Sequence, residues 1–140
     1  MIEASNFQET AVAIDDGFIQ RAQGTFDVIL APGTAHCGPQ TSPNPLPAEF
    51  SYSVEIEYSA GALDEKGFLL DNMDFENYFR SLREQPVTVS CELLAQNACE
   101  AFCGMLGARA AFCHRICTRI WGLPGVSIER RLHPSGVIHA

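Results

Sequence analysis

The sequence predicts a single α+β domain with elements in the order β-β-α-α-β-β. Three observations predict it: an alternating apolar stretch near residue 50, two stretches with helical spacing in mid-chain, and two late apolar stretches, 116–121 and 126–132, joined by a Gly-Leu-Pro-Gly turn. This order favours an antiparallel sheet with both helices on one face. At 140 residues the chain has the length of one domain, which we expect to span residues 1–140.

The first third of the chain contains one predicted strand between two irregular segments. Residues 1–23 are weakly patterned, whereas residues 25–30 are rich in apolar and β-branched side chains and are predicted to form a strand. Residues 32–47 contain five prolines. Because proline lacks the donor that helices and central strands need, this segment is predicted to be a loop.

Residues 50–58 carry the strongest strand signal in the chain. Apolar and polar residues alternate there, as in a strand with one buried face. A turn is predicted over residues 61–67, after which residues 68–70 are predicted to return as a second strand.

Two helices are predicted before the final strands. Asp74 or Asn72 is a candidate N-cap for a helix that continues through Leu82. Ser90 is predicted to cap a second helix over residues 91–106, whose apolar residues recur at helical spacing.

The charge balance disfavours two classes of partner. Nine Lys and Arg residues against seventeen Asp and Glu give a net charge of −8, the opposite of what phosphate-binding proteins carry. The same charge disfavours anionic membrane surfaces, and no apolar stretch approaches the ~20 residues that span a bilayer. The first residues lack the pattern of a secretory signal, so we expect a cytoplasmic protein.

The six cysteines are expected to be reduced thiols, most of them buried as small apolar residues. An alternative is a four-cysteine metal site. Cys99 and Cys103 share a helix face, and their thiolates could converge with Cys113 and Cys117.

An ordered set of four motifs carries a family resemblance. They are Ala48-Glu49-Phe50-Ser51-Tyr52, the Gly-x-Leu-Asp run over 61–71, Val89-Ser90-Cys91-Glu92-Leu93-Leu94-Ala95, and Thr118-Arg119-Ile120-Trp121-Gly122. Together they resemble the 6-pyruvoyl-tetrahydropterin synthase family, which includes the bacterial 6-carboxy-tetrahydropterin synthases. The resemblance implies the tunnelling fold, whose subunits associate edge to edge into a barrel, commonly as trimers that can stack into hexamers. It also implies a pterin or purine-like ligand at the subunit interface.

The resemblance also indicates which catalytic groups are missing. The family binds zinc through three histidines, one at the end of the first strand and two in His-Gly-His. The first corresponds to His36, but the other two positions hold Ala48 and Phe50, which cannot bind a metal. We therefore expect no cofactor, and the family's ligand positions do not support zinc.

The family's proton-transfer groups are also altered. The family uses an upstream cysteine as base, together with an Asp-His pair between the helices. Cys37 is the upstream candidate here, and with the adjacent His36 it forms a candidate catalytic pair. No Asp-His occurs between the predicted helices, and Gly122 replaces the family's late pterin-anchoring glutamate.

Glu92 and Cys91 are the candidate ligand-binding residues. Glu92 matches the glutamate of the family's Pro-Thr-x-Glu, and a carboxylate can accept two parallel hydrogen bonds from the N–H edge of a pterin or guanine. An acidic residue at this position equally complements the helix dipole. Cys91 lies beside it at the helix N-terminus, where a thiol pKa is lowered.

The function predicted from these residues is binding of a small pterin or purine-like heterocycle by a homo-oligomer that lacks the family's zinc. Two alternatives stay open. The first is a non-catalytic oligomeric protein that keeps the fold but not the site. The second is an active pterin-synthase-type lyase, which would require a different alignment over residues 36–50.

Overall fold

In the part of the chain that the structure describes, a four-stranded antiparallel sheet and two α-helices make up the fold, which confirms the predicted α+β class. The structure, a computed structural model, describes residues 17–32, 45–123 and 126–134. The strands follow chain order across the sheet, and both helices lie between the second and third strands. The elements are β1 (Phe18–Leu30), β2 (Leu46–Tyr58), α1 (Asn72–Ser81), α2 (Cys91–Leu106), β3 (Cys113–Leu123) and β4 (Val126–Leu132).

The alternation of β2 divides the two faces of the sheet as predicted. The side chains on one face are buried against the helices, and they are Phe50, Tyr52, Val54, Ile56 and Tyr58. Serine and glutamate alternate with them and lie on the helix-free face. No helix in the described part of the chain is long and apolar enough to cross a membrane.

The sheet extends beyond the strands predicted from the sequence. β1 begins at Phe18, inside the weakly patterned segment, where its ring stacks on that of Tyr58 with 5.5 Å between centroids. β2 begins inside the proline-rich segment, and Pro47 pairs with Ile29. Proline is tolerated there because β2 has a neighbour on one side at this end: its pairing with β3 begins at Ser51.

Residues 68–70 do not form the predicted strand, and that prediction was wrong. Side chains, rather than a strand ladder, hold the carbonyl groups of Leu69 and Leu70. Gln20 donates to the carbonyl oxygen of Leu70 at 3.1 Å, and Arg109 donates to that of Leu69 at 3.0 Å. Both leucines are buried, so apolar burial without alternation misled the sequence analysis.

The helix starts are set by side-chain caps. Ser90 caps α2 as predicted, while Asp71 rather than Asn72 or Asp74 caps α1. The Asp71 carboxylate accepts the N–H of Met73 at 2.9 Å, and the Asp74 carboxylate accepts the N–H of Asp71 at 2.9 Å. In this reciprocal capping box Asp74 supports the helix start from the third helical position, rather than as the predicted cap.

An aromatic cluster joins the helices to the sheet. The ring of Phe79 on α1 stacks on Tyr52 of β2 at 3.9 Å and contacts Phe26 of β1 at 5.0 Å. Phe102 of α2 completes the cluster, with ring centroids 5.0 Å from Phe75 and 6.0 Å from Phe79. The core therefore lies between the helix pair and one face of the sheet.

Replacing Phe102 by alanine should lower the free energy of unfolding by about 3–5 kcal/mol, because it leaves a cavity between two helices and the sheet. Urea denaturation followed by circular dichroism measures this. Leu93→Ala, on the exposed side of the same helix, is the control and should change stability by less than about 1 kcal/mol. Equal losses of unfolding free energy in the two variants would contradict the placement of Phe102 in the core.

Candidate functional site

The predicted catalytic pair, His36 and Cys37, lies outside the described residues. The remaining positions that correspond to the family's site are described, and they fall on β2, on β3 and at the start of α2.

The two positions of the family's His-Gly-His histidines belong to the apolar side of the sheet. Phe50 is 4% exposed, and its ring lies 5.8 Å from that of Phe26. Ala48 is half-buried and pairs with Val28 across the β1–β2 ladder. Among the described residues, no three or more His, Cys, Asp or Glu side chains form a group that could hold a metal ion.

Two departures from the family pattern depend on each other. A Cβ atom on Gly122 would lie 2.1 Å from Cδ1 of Phe50 and 3.1 Å from the carbonyl oxygen of Glu49. The Phe50 ring thus occupies the space that any side chain at position 122 needs. A side chain as large as glutamate does not fit at position 122 while phenylalanine stands at position 50. Nothing in the sequence indicates that these two positions touch.

Gly122→Ala should destabilise the protein by about 1–3 kcal/mol, because the added methyl group overlaps the Phe50 ring. In a Phe50→Ala background the same change should cost much less, and a double-mutant cycle measured by urea denaturation tests this coupling.

Gly104→Ala is the matched control, since no atom lies within 4 Å of a Cβ placed there. This helical position should gain stability from alanine. Additive effects of Gly122→Ala and Phe50→Ala would contradict the contact.

The two predicted ligand-binding residues lie next to each other but in opposite environments. Glu92 is exposed in the first turn of α2, whereas Cys91 is 0% exposed. Cys91 is also disulfide-bonded, so its sulfur is not the free thiol that the sequence analysis expected. Glu92 is therefore the member of the pair that a ligand could reach.

The four remaining cysteines of the described segments are free thiols that do not converge on one point. The thiol of Cys99 donates to the hydroxyl of Thr118 at 3.3 Å, on the helix side of the sheet. Cys117 lies on the helix-free face, beside Glu129. Burial raises the pKa of Cys113 to about 11. The sheet separates the sulfur of Cys117 from that of Cys99, and among the described residues no three cysteines form a group that could hold a metal ion, which argues against the four-cysteine metal site.

A cavity of about 470 Å³ lies at the paired ends of β1 and β2, and we call it the strand-end cavity. Asp27 and Glu49 are paired across the ladder, and both residues line it together with Arg83. Ala48, which the resemblance places at a zinc-binding position, lines it as well.

A larger cavity of about 700 Å³ lies between the first half of β1, the segment before α1 and the end of α2, and we call it the acidic cavity. Asp64, Asp71 and Asp74 line it, with Arg109. The backbone N–H of Phe68 holds the pKa of the Asp64 carboxyl below its usual value, with a smaller contribution from that of Lys66. Glu92 lies outside the lining of both cavities.

No protein-family model matches the chain, and a search of curated proteins finds no match. The family resemblance therefore remains a prediction that depends on the motifs themselves.

The helix-free face of the sheet carries a network of ion pairs. Arg21 donates to the Glu55 carboxylate at 2.7 Å, and Arg115 bridges Glu55 and Glu57. The Arg21 hydrogen bond and that of Arg115 lower the pKa of Glu55. The network links β1, β2 and β3 on the face that the helices leave uncovered.

The Glu55 network should make stability depend on pH in the acid range. The folded-state pKa of Glu55 lies below its ordinary value. The stabilisation that the Glu55 carboxylate provides is therefore fully present above the ordinary pKa and is lost as pH falls through the folded-state pKa. Wild type should therefore lose stability more steeply than Glu55→Gln between about pH 5 and 3. Urea midpoints measured at each pH test this.

Glu65→Gln is the control, since Glu65 takes part in none of the salt bridges of the described residues. Its pH profile should follow that of wild type. Parallel profiles for wild type and Glu55→Gln would rule out the contribution of the network.

Proposed function

We propose that this protein is a divergent relative of the 6-pyruvoyl-tetrahydropterin synthases that binds a pterin or purine-like heterocycle, without the family's zinc, as a homo-oligomer. The observation that carries the proposal is the connectivity: four antiparallel strands in chain order, with both helices between the second and third. The motif resemblance implies this element order. The motifs also fall at consistent places, with residues 61–71 between β2 and α1 and Glu92 in the first turn of α2.

The sheet edges that the described residues leave open support the proposed oligomer. β1 and β4 are the outer strands, and β1 spans 13 residues. In the described segments, the outer side of β1 pairs near its end, where Val87 exchanges hydrogen bonds with Ile29 and Ala31 at 2.8 and 2.9 Å. Free N–H and C=O groups along a strand are a template for another strand. We propose that β1 of one subunit pairs with β4 of the next to close a tunnelling-type barrel, as a trimer or a stacked hexamer.

The position of Glu92 supports a ligand site at such an interface. Val87 pairs with Leu30 at the end of β1, and α2 begins soon afterwards at Cys91. The start of α2 therefore lies near the end of β1 where Val87 occupies the edge, next to the part of that edge where a neighbouring subunit would join. An exposed carboxylate there can accept paired N–H donors from a heterocycle and become buried when the neighbour closes over it.

The apolar residues at positions 48 and 50 argue for binding without the family's zinc chemistry. The Phe50 ring packs into the core, so restoring a histidine there would open a cavity and bury a polar ring.

A non-catalytic oligomeric protein is the second candidate function. The contact between Phe50 and Gly122 favours it. Phe50 stands where the resemblance places a zinc ligand, and its ring leaves no room for a glutamate at position 122. Under this alternative the fold and its open edges persist while the ligand site is lost.

Isothermal titration of the full chain with neopterin, guanosine and urate tests the proposal. We expect at least one to bind, and Glu92→Gln to weaken that binding by about 100-fold or more, because an amide cannot accept both N–H bonds as a carboxylate does. Glu100→Gln, exposed on the same helix, is the matched control and should bind as wild type does.

Equal affinity of wild type and Glu92→Gln would contradict the role of Glu92. Absence of binding by wild type to all three compounds would contradict heterocycle binding and favour the structural alternative.

A further inference from the structure

Exposed apolar side chains gather around the acidic cavity. Phe68 and Met105 line it, and they are 62% and 43% exposed. Met73, 47% exposed, lies in the chain between the lining residues Asn72 and Asp74. Large apolar side chains exposed around a polar recess mark association surfaces in soluble proteins.

The charge of the cavity specifies the chemistry of its occupant. Asp64, Asp71 and Asp74 line it, and the cation among the lining residues, Arg109, is already engaged. The Arg109 guanidinium donates to three main-chain carbonyl oxygens at 2.9 to 3.3 Å. An occupant with a cation beside apolar groups would complement this surface.

The cavity borders the open edge of β1 on the helix side of the sheet. Gln20 of β1 lines it. Across the sheet, the registers place Gln20 level with Leu132 of β4, and Ala22 level with Arg130. The residues of β4 at the opposite open edge therefore lie at the same height in the sheet as the cavity.

Arg130 carries a positive charge that would complement the carboxylates of the acidic cavity. It is exposed on the helix side of β4, between Ile128 and Leu132, which pack against the core. The salt bridges of the described residues do not include it, and its guanidinium donates to the carbonyl oxygen of Arg131. In a chain of net charge −8, this cation at an open edge lacks a carboxylate partner within the described part of its own subunit.

We propose that the acidic cavity receives β4 of a second copy of this chain, with Arg130 of that copy as the charged anchor. The inference rests on the edge-to-edge association proposed above and names the residues that select the partner edge. β1 and β4 run antiparallel to each other. A second copy that continues the sheet in the same orientation keeps its helices on the same side, and we propose that it pairs in the register that sets its Arg130 beside Gln20 and the three aspartates.

Sedimentation velocity of the full chain over a concentration series tests the proposal. Wild type should be oligomeric, and Arg130→Glu should raise the subunit dissociation constant by at least about 30-fold, because it places a carboxylate among three others. Arg130→Lys should keep most of the association. Arg80→Glu, a charge-matched change on the outer surface of α1, should leave it unchanged.

A second variant tests the surface from the cavity side. Met105→Lys adds a cation where Arg130 of the second copy would dock, and it should weaken association as Arg130→Glu does. Leu93→Lys, at another exposed site of the same helix, is its control. Circular dichroism establishes that each variant is folded.

The outcomes separate this inference from the association on which it rests. A wild-type chain that is monomeric at every concentration would overturn both. A wild-type oligomer that Arg130→Glu and Met105→Lys leave intact would overturn the role of the cavity and leave edge-to-edge association standing. Heterocycle binding is measured independently and bears on neither result.

Discussion

Strand β2 constrains the rest of the structure, because it pairs with both neighbours from Ser51 onwards and buries the face that runs from Phe50 to Tyr58. Its even-numbered residues from Phe50 to Tyr58 face the helices, while Glu55 and Glu57 face away. A shift of β2 by one residue relative to its neighbours would exchange the two faces of β2 and place its glutamates in the core. The registers with β1 and β3 are therefore fixed, and with them the positions of the cavities and the open edges.

The same constraint bears on the proposed family relationship. The apolar face of β2 continues to Phe50, where the resemblance places a zinc ligand, and its ring covers Gly122 of β3. Under that proposal, the absent zinc position is part of the core and touches the position of the absent late glutamate. The proposed ligand site depends on Glu92, which lies at the start of α2 and outside this contact.

Charge is distributed unevenly over this acidic chain. Arg21 and Arg115 are bound to glutamates on the helix-free face, and Arg109 holds main-chain carbonyl groups before α1. Arg130 differs because it lies at an open strand edge outside the ion pairs of the described residues. The proposed assembly brings this cation to the acidic cavity at the other edge, so the arrangement of charge would set the direction in which subunits add.

The sequence by itself determined the alternation of β2, the apolar stripe of α2 with its Ser90 cap, and the α+β class, because these depend on neighbours along the chain. Tertiary structure decided the rest. Residues 68–70 have the composition of a strand, but Gln20 and Arg109, distant in sequence, hold their carbonyl groups instead. β1 begins at Phe18 because Tyr58 lies opposite it, and the Phe50–Gly122 contact joins residues on two strands. Such features follow from which segments meet in space, and local sequence patterns do not carry that information.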